Sequence, residues 1–182
     1  ITLTNNIILS ENIEINQKNI IIQGNGKEIS LSNQFNLRVK SASNVEINDI
    51  TIRDYKSTGL TIYSCKNIKL SNIHLIGKDI YLPKEERSTV GIDIYNSTVQ
   101  LSDIKTENHL YRGIQVRNGS TIDILTTNIH NNDAVHMQSI VAFGQKENTI
   151  NYGSDTYLQG NKYTDGNNEK IDYYSQKNIS IK

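Results

Sequence analysis

Short blocks of alternating apolar and polar residues recur along the chain. In three successive blocks of four residues, the third position is an apolar residue: Ile62, Ile94 and Val116. These residues are 32 and 22 positions apart. Val39 lies 23 positions before Ile62. A repeat of about 22 residues built from short strands is typical of a solenoid in which each coil stacks on the previous one. The aligned blocks are Leu60-Thr61-Ile62-Tyr63, Ile92-Asp93-Ile94-Tyr95, Ile114-Gln115-Val116-Arg117 and Val135-His136-Met137-Gln138.

Dipeptides of Asn or Asp followed by Ile divide the strands from one another. Asn and Asp tolerate the left-handed backbone conformation and bond nearby peptide groups, so each dipeptide predicts a corner leading into a strand. Between corners, segments such as Val45-Glu46-Ile47 and Ile68-Lys69-Leu70 alternate with period two. The corner dipeptides are Asn12-Ile13, Asn19-Ile20, Asp49-Ile50, Asn67-Ile68, Asn72-Ile73, Asp103-Ile104 and Asn128-Ile129.

Two or three such strands per coil, without room for helices between them, predict an all-β, right-handed parallel β-helix with coils of about 22 residues. An antiparallel sandwich is the alternative. Its two-residue hairpin signals are nearly missing, apart from Asn25-Gly26 and Asn118-Gly119. The composition is rich in Ile, Asn, Thr, Ser and Tyr, with no Trp and one Pro, which also favours strands and turns over helices.

The 182 residues are predicted to form a single domain. Regular coils are expected over 1–143, with a lateral loop at about 77–90 that accounts for the longer spacing before Ile94. This loop either carries binding residues or is a solvated charged insertion. The polar, Tyr-rich residues 144–182 are expected to form irregular terminal coils or a cap over the last open edge.

Charge and cysteine content exclude several classes of protein. Lys+Arg and Asp+Glu are balanced at 19 each, so no long-range field attracts nucleic acid. No apolar run reaches the ~18 residues of a membrane span. The single cysteine, Cys65, cannot form an internal disulfide, and its place in a turn predicts an inert residue stacked inside a coil. The start at Ile1, already in strand register, predicts a domain excised from a larger protein.

The N-terminal third resembles a known family. The segments Ile1-Thr2-Leu3-Thr4-Asn5-Asn6-Ile7-Ile8-Leu9, Ile13-Glu14-Ile15 and Asn19-Ile20-Ile21-Ile22-Gln23, the turn Gly24-Asn25-Gly26-Lys27, and the run Val45-Glu46-Ile47-Asn48-Asp49-Ile50-Thr51-Ile52 are similar to the opening coils of pectate-lyase-like β-helix domains. They resemble in particular the adhesive versions of these domains on surface proteins of Gram-positive bacteria. This resemblance extends over about residues 1–140 through the coil pattern, and it implies a carbohydrate-directed groove on the lateral face.

The outward positions of the aligned blocks supply the candidate site. One column contains Thr61, Asp93, Gln115 and His136, and the next contains Tyr63, Tyr95, Arg117 and Gln138. Aromatic faces cover the apolar faces of sugars, and arginine can hold a carboxylate by two bonds. Stacked tyrosines also stabilise an exposed sheet without any ligand. The predicted ligand-binding residues are Tyr63, Asp93, Tyr95, Gln115, Arg117 and His136, with Tyr111 and Arg112 as neighbours that could line the same groove.

These columns contain one carboxylate, Asp93. The calcium site implied by resemblance to the lyases needs several converging oxygen ligands, and hydrolysis of a glycoside needs two carboxylates. We therefore predict no catalytic residue, metal ligand or cofactor. The expected function is a non-catalytic adhesin domain at the bacterial cell surface, extracellular and part of a larger surface protein, that binds a host or environmental glycan or glycoprotein. The alternatives are a polysaccharide lyase or glycoside hydrolase with scattered residues, and a passive spacer or phage tail-spike segment.

Overall fold

The protein is all-β, as predicted. A computed structural model gives the architecture of residues 1–78, 83–86, 88–110, 112–130, 138–143, 148–159, 173–175 and 179–181. This part of the chain contains fifteen strands and a short 3-10 turn, Lys84–Glu86. The strands are β1 (Ile7–Ile8), β2 (Ile13–Ile15), β3 (Lys18–Ser30), β4 (Leu37–Lys40), β5 (Ser43–Arg53), β6 (Thr58–Tyr63), β7 (Lys66–Ile76), β8 (Val90–Tyr95), β9 (Thr98–Glu107), β10 (Arg112–Arg117), β11 (Thr121–His130), β12 (Gln138–Phe143), β13 (Asn148–Gln159), β14 (Tyr173–Ser175) and β15 (Ile179–Ile181).

The strands form two parallel sheets. The odd-numbered strands make a sheet in the order β1-β3-β5-β7-β9-β11-β13-β15, here called the odd sheet. The even-numbered strands make the even sheet, in the order β14-β12-β10-β8-β6-β4-β2. The chain therefore changes sheet after each strand and returns beside the strand it left two elements earlier. This topology is compatible with a parallel β-helix. Among the described residues, no helix is long and apolar enough to cross a membrane.

Apolar residues at alternate positions stack in register inside the fold. In the even sheet, Ile94 pairs with Ile62 on one side and with Val116 on the other, and Ile62 pairs with Val39. All four are fully buried, at 0% exposure. The prediction of one interior column for Ile62, Ile94 and Val116 is confirmed. Inward residues of both sheets join one apolar cluster that runs from Leu3 to Ile150.

Most of the predicted corner residues take the left-handed backbone conformation, but they lie within strands of the odd sheet and do not divide one strand from the next. Five of the predicted corner residues adopt positive φ angles: Asn19 (59°), Asp49 (59°), Asn67 (54°), Asn72 (51°) and Asp103 (53°). Their side chains also connect successive strands. Asn72 Nδ2 donates to Asp49 Oδ1 at 2.8 Å, and Asn67 Nδ2 donates to Asn44 Oδ1 at the same distance. At these positions Asn and Asp combine a left-handed backbone with side-chain bonds along the stack.

The fourth aligned block was placed in the wrong register. Val116 pairs with Ala142, 26 positions later, and Ile114 pairs with Ile140. The β12 strand is therefore Gln138–Phe143, whereas Val135-His136-Met137 precedes it and lies outside the described residues. The prediction failed because the spacing of equivalent positions increases from 22 residues between Ile94 and Val116 to 26 between Val116 and Ala142. Alanine is also a less conspicuous apolar residue than valine or methionine. The strands β13, β14 and β15 continue both sheets within the tail that was predicted to be irregular.

Cys65 lies buried in a corner, as predicted. Its Sγ–H is within hydrogen-bonding distance of the carbonyl oxygens of Tyr63 (3.2 Å) and Val39 (3.4 Å). Its backbone N–H donates to Ser97 Oγ at 2.9 Å, and the Ser97 N–H in turn donates to Ser120 Oγ at 3.2 Å. Burial raises the pKa of the thiol, which disfavours the reactive thiolate. Cys65 is therefore part of a small polar stack inside the corner.

A second polar pair is buried at the corner that precedes the even sheet. The Tyr55 hydroxyl and His109 Nε2 are hydrogen-bonded at 2.5 Å, and both residues are buried. Burial, followed by the charge of Glu107, raises the pKa of Tyr55, so the phenol stays protonated. Glycine makes room for these rings. A Cβ on Gly59 would lie 2.8 Å from the Tyr55 ring, and one on Gly91 would lie 3.1 Å from His109 Cε1.

A half-buried ionic cluster spans β7 and β9 in the odd sheet. His74 Nε2 lies 2.7 Å from Glu107 Oε1, and Lys105 Nζ lies 3.2 Å from Glu107 Oε2. Burial lowers the pKa of His74 against the opposing effect of Glu107. Burial by itself raises the pKa of Glu107, but the bonds and charges of His74 and Lys105 outweigh it and lower that pKa.

Ile94→Asp places an unpaired charge in the interior column. We expect it to lower the free energy of unfolding by about 4 kcal/mol or more, or to prevent folding. Ile94→Val removes only one methylene and should cost about 0.5–1.5 kcal/mol. Urea unfolding followed by circular dichroism measures both. Similar, small losses for the two variants would show that Ile94 is not enclosed.

Acidification should destabilise the fold through His74. Its folded pKa is lower than its unfolded pKa, so the unfolded state binds the proton more readily, and stability falls as the pH drops through about 6.5. Glu107, whose folded pKa is also lowered, adds a further loss as the pH falls through the carboxylate range. The melting temperature should therefore fall between pH 7.5 and 5.5 by more in the wild type than in His74→Gln, which keeps a donor for Glu107. Equal decreases would contradict this assignment.

Candidate functional site

Five of the six predicted binding residues lie together on the outward face of the even sheet. Asp93 pairs with Thr61 on one side and Gln115 on the other, and Tyr95 pairs with Tyr63 and Arg117 in the neighbouring column. Parallel strands are about 4.8 Å apart, so side chains of one column are in contact range. The two predicted columns therefore exist over β6, β8 and β10.

Tyr63, Tyr95 and Arg117 form a stack along the second column. The two tyrosine rings are nearly parallel, with centroids 4.8 Å apart and an interplanar angle of 6°. The Arg117 guanidinium carbon lies 5.2 Å from the centroid of Tyr95, within the range of a cation–π interaction. Asn118 Nδ2 donates to the Tyr95 hydroxyl at 2.8 Å. Tyr95 is thus held on three sides, whereas Tyr63, at the end of the stack, is 42% exposed.

Asp93 fixes the guanidinium of Arg117. Arg117 Nε donates to Asp93 Oδ1 at 2.9 Å and Nη2 donates to Oδ2 at 2.5 Å, a bidentate pair. Gln115 Nε2 also donates to Asp93 Oδ1, at 3.0 Å, and Arg112 donates to Gln115 Oε1. The carboxylate that Arg117 holds with two bonds is therefore that of Asp93. This differs from the expectation that Arg117 presents its paired donors to a ligand.

The remaining predicted positions do not join this group. His136 lies outside the described residues, and the residue that pairs with Gln115 in β12 is Val141. The column assignment that motivated His136 is therefore wrong. Tyr111 also lies outside the described residues, whereas Arg112 is bonded to Gln115 as a neighbour of the site.

A pocket of about 450 Å³ opens beside the exposed end of the tyrosine stack. Its lining includes three positions from the predicted columns, Thr61, Tyr63 and Asp93. The other two lining residues, Arg38 and Lys40, were missed by sequence analysis. A signal for them was present, because Val39 lies 23 positions before Ile62, close to the repeat length, and the two neighbours of a residue in the interior column must face outward. The register confirms this, since Arg38 pairs with Thr61 and Lys40 with Tyr63.

The two cations of the pocket have different surroundings. Lys40 Nζ lies 3.7 Å from Glu14 Oε2, and both side chains are well exposed, at 49% and 39%. Such a pair contributes little stability and is easily rearranged. Arg38 is exposed and has no hydrogen-bond or ion-pair partner among the residues the structure describes. The pocket therefore presents a guanidinium whose donors face solvent.

A second cleft, of about 470 Å³, lies at the corner that precedes the even sheet. Phe35 and Leu110 contribute apolar surface, and Lys56 and Glu85 contribute opposite charges. Glu85 belongs to the segment that was predicted to be a lateral loop. This cleft lacks the ordered aromatic stack of the even-sheet face.

Acidic residues on the even-sheet face serve as partners of cations. Both oxygens of Asp93 accept bonds from Arg117, and Glu14 pairs with Lys40. Within the described parts of the chain, no three His, Cys, Asp or Glu side chains are grouped so that they could hold a metal ion.

The Asp93–Arg117 pair should stabilise the fold. Arg117→Gln leaves the Asp93 carboxylate, whose side chain is 12% exposed, without its bidentate partner. We expect a loss of about 1–3 kcal/mol, between the values for exposed and buried pairs. Asp93→Asn in the Arg117→Gln background should then cost less than it does alone. Urea unfolding of the four proteins gives the coupling energy, and additivity to within about 0.5 kcal/mol would contradict the pairing.

The chain matches no protein-family model, and neither the curated proteins nor the solved structures include one that is significantly similar to it. The resemblance to pectate-lyase-like adhesive domains therefore depends on the coil pattern of the sequence. Architectures built from parallel β-sheets are shared by enzymes and binding proteins, so the fold alone does not identify the function. The geometry of the even-sheet face provides more specific information.

Proposed function

We propose that this chain is a non-catalytic, carbohydrate-binding adhesin domain of a bacterial cell-surface protein. The ligand binds along the outward face of the even sheet, with one sugar ring against Tyr63. The observation that carries the proposal is the exposed tyrosine ring, held flat by a stack and placed at the edge of a polar pocket. The host or environmental glycan, the extracellular location and the larger parent protein are parts of the same proposal.

The stack supports recognition of a sugar because it prepares one aromatic face in advance. Tyr63 is parallel to Tyr95, and Tyr95 is covered by Arg117 on its other side. A ring whose orientation is already fixed loses little conformational freedom when a ligand binds. The pyranose C–H face is apolar and covers such a ring, while Thr61 and the cations of the pocket can bond hydroxyl groups.

The architecture behind this face is proposed to be a right-handed parallel β-helix with coils of about 22 residues. Alternation of successive strands between two parallel sheets supports a solenoid. Crossovers between parallel strands of one sheet are right-handed in about 98% of cases, which supports the handedness. A solenoid places equivalent outward positions of successive coils in straight columns, as an extended glycan site requires.

The hydrogen bonds of Asp93 to Arg117 and Gln115 favour a binding role over catalysis. A glycosidase needs two carboxylates free to act on one bond, and a calcium-dependent lyase needs carboxylates free to bind metal. Here the carboxylate at the centre of the face is bound to Arg117 and Gln115, and it orders the stack. The Asp93 carboxylate therefore positions Arg117 and does not act on a ligand.

Affinity for a single glycan is expected to be weak. The pocket is open, and each hydrogen bond to a sugar hydroxyl replaces one to water. Dissociation constants in the millimolar to micromolar range, about −4 to −8 kcal/mol, are therefore expected. Many copies on one cell would increase the avidity of attachment.

Tyr63→Ala should reduce glycan binding at least about tenfold, because it removes the exposed ring, whereas Tyr63→Phe should retain most of it. Binding is measured on a glycan array with the domain displayed in many copies, and folding is checked by thermal melting. Lys69→Ala, on the odd sheet, is the matched control. If a folded Tyr63→Ala variant binds as well as wild type, the ligand does not use this face.

A further inference from the structure

The pocket at the end of the tyrosine stack carries an excess of positive charge. Arg38 and Lys40 contribute two cations, and Asp93 contributes the one carboxylate of the lining. Arg117 already neutralises that carboxylate through a bidentate pair. Arg117 belongs to β10, whereas Arg38 lies beyond β6, on the other side of β8. Asp93 therefore does not cancel the charge of Arg38.

Arg38 is the group in this pocket best suited to an incoming anion. Arg38 lies in register between Glu14 on β2 and Thr61 on β6, although no ion pair joins it to Glu14. Thr61 in turn pairs with Asp93, so Arg38 is two strands away from the centre of the predicted site. Its planar donors match a carboxylate or a sulfate, and among the described residues nothing occupies them. Lys40, whose pair with Glu14 is long and solvent-exposed, can turn toward the same anion.

We propose that the ligand is an anionic saccharide whose carboxylate or sulfate ester binds to Arg38, with Lys40 as a second cation and the adjoining sugar ring on Tyr63. This inference rests on the proposed function, since it names the ligand class of the same site. It also assigns separate roles to Arg38 and Arg117. Arg117 is a positioning residue that holds the stack, and Arg38 is the residue that touches the ligand.

Salt dependence follows from this assignment. The cations of the pocket are exposed, so their attraction for an anion is screened at a Debye length of about 8–10 Å near physiological ionic strength. Ring stacking on Tyr63 is much less sensitive to salt. Affinity for an acidic saccharide should therefore fall with added NaCl, and affinity for its neutral analogue should change little.

The test uses the full chain and three synthetic trisaccharides of one backbone. One carries a glucuronate, one is its carboxyl-reduced neutral form, and one carries a sulfate ester instead of the carboxylate. Binding to wild type, Arg38→Gln, Arg38→Lys, Tyr63→Ala and the control Lys69→Gln is measured by titration calorimetry or surface plasmon resonance at two salt concentrations. Arg38 is exposed and unpaired among the described residues, so its variants should melt at the wild-type temperature.

We expect wild type to bind at least one acidic probe about tenfold more tightly than the neutral probe. Arg38→Gln should lose this preference and its salt dependence while it keeps the weak affinity for the neutral probe. Arg38→Lys should be intermediate, because it keeps the charge without the planar donors. The acidic probe that shows the larger Arg38 effect identifies whether the ligand carries a carboxylate or a sulfate.

Three results would overturn the inference in different ways. If all probes bind equally to wild type and to Arg38→Gln but Tyr63→Ala binds none, the carbohydrate site stands and the anionic subsite is wrong. If no probe binds to wild type above the background of a folded unrelated protein, the proposed function fails and the inference fails with it. An acidic preference lost equally in Lys69→Gln and Arg38→Gln would show a diffuse charge effect and would also reject the subsite.

Discussion

The stacking of interior side chains in strict register is the constraint from which the surface chemistry follows. Val39, Ile62, Ile94 and Val116 occupy one buried column, so the residues beside them are forced into outward columns at the spacing of parallel strands. A slip of one residue would turn every outward side chain toward the core. The apolar pattern of the interior therefore determines which polar groups meet outside, although those groups are far apart in sequence.

Within that framework, Asp93 organises the outward face. It is nearly buried and accepts bonds from Arg117 and Gln115, and Arg117 covers the ring of Tyr95. The order created in this way ends at Tyr63, which has one ring face against the stack and substantial exposure. Satisfied and exposed groups are therefore separated along the column. The paired charges of Asp93 and Arg117 lie on β8 and β10, and the more exposed side chains lie on β4 and β6.

Features that depend on periodicity could be predicted from the sequence. Features that depend on the spacing between strands or on long-range packing could not. The columns through Asp93 and Tyr95 followed from period-two alternation, and the positions of positive φ followed from the tolerance of Asn and Asp for that conformation. The β12 register was missed because the spacing of equivalent positions increases from 22 to 26 residues, which no local pattern reveals. The buried pair of Tyr55 and His109 was missed because these residues are 54 positions apart and meet only after the strands between them have paired. Arg38 could have been found from Val39, since the same alternation rule applies to its neighbours.

Binding at the even-sheet face is tested most directly by a backbone-amide chemical-shift titration of the isotopically labelled chain with the saccharide that binds best on a glycan array. We expect shift changes to concentrate at Arg38, Lys40, Thr61 and Tyr63 and to decrease along the column toward Arg117. Changes concentrated instead at 33–36 and 56–58, around the second cleft, or spread evenly over both sheets, would contradict the assignment of the even-sheet face as the carbohydrate site.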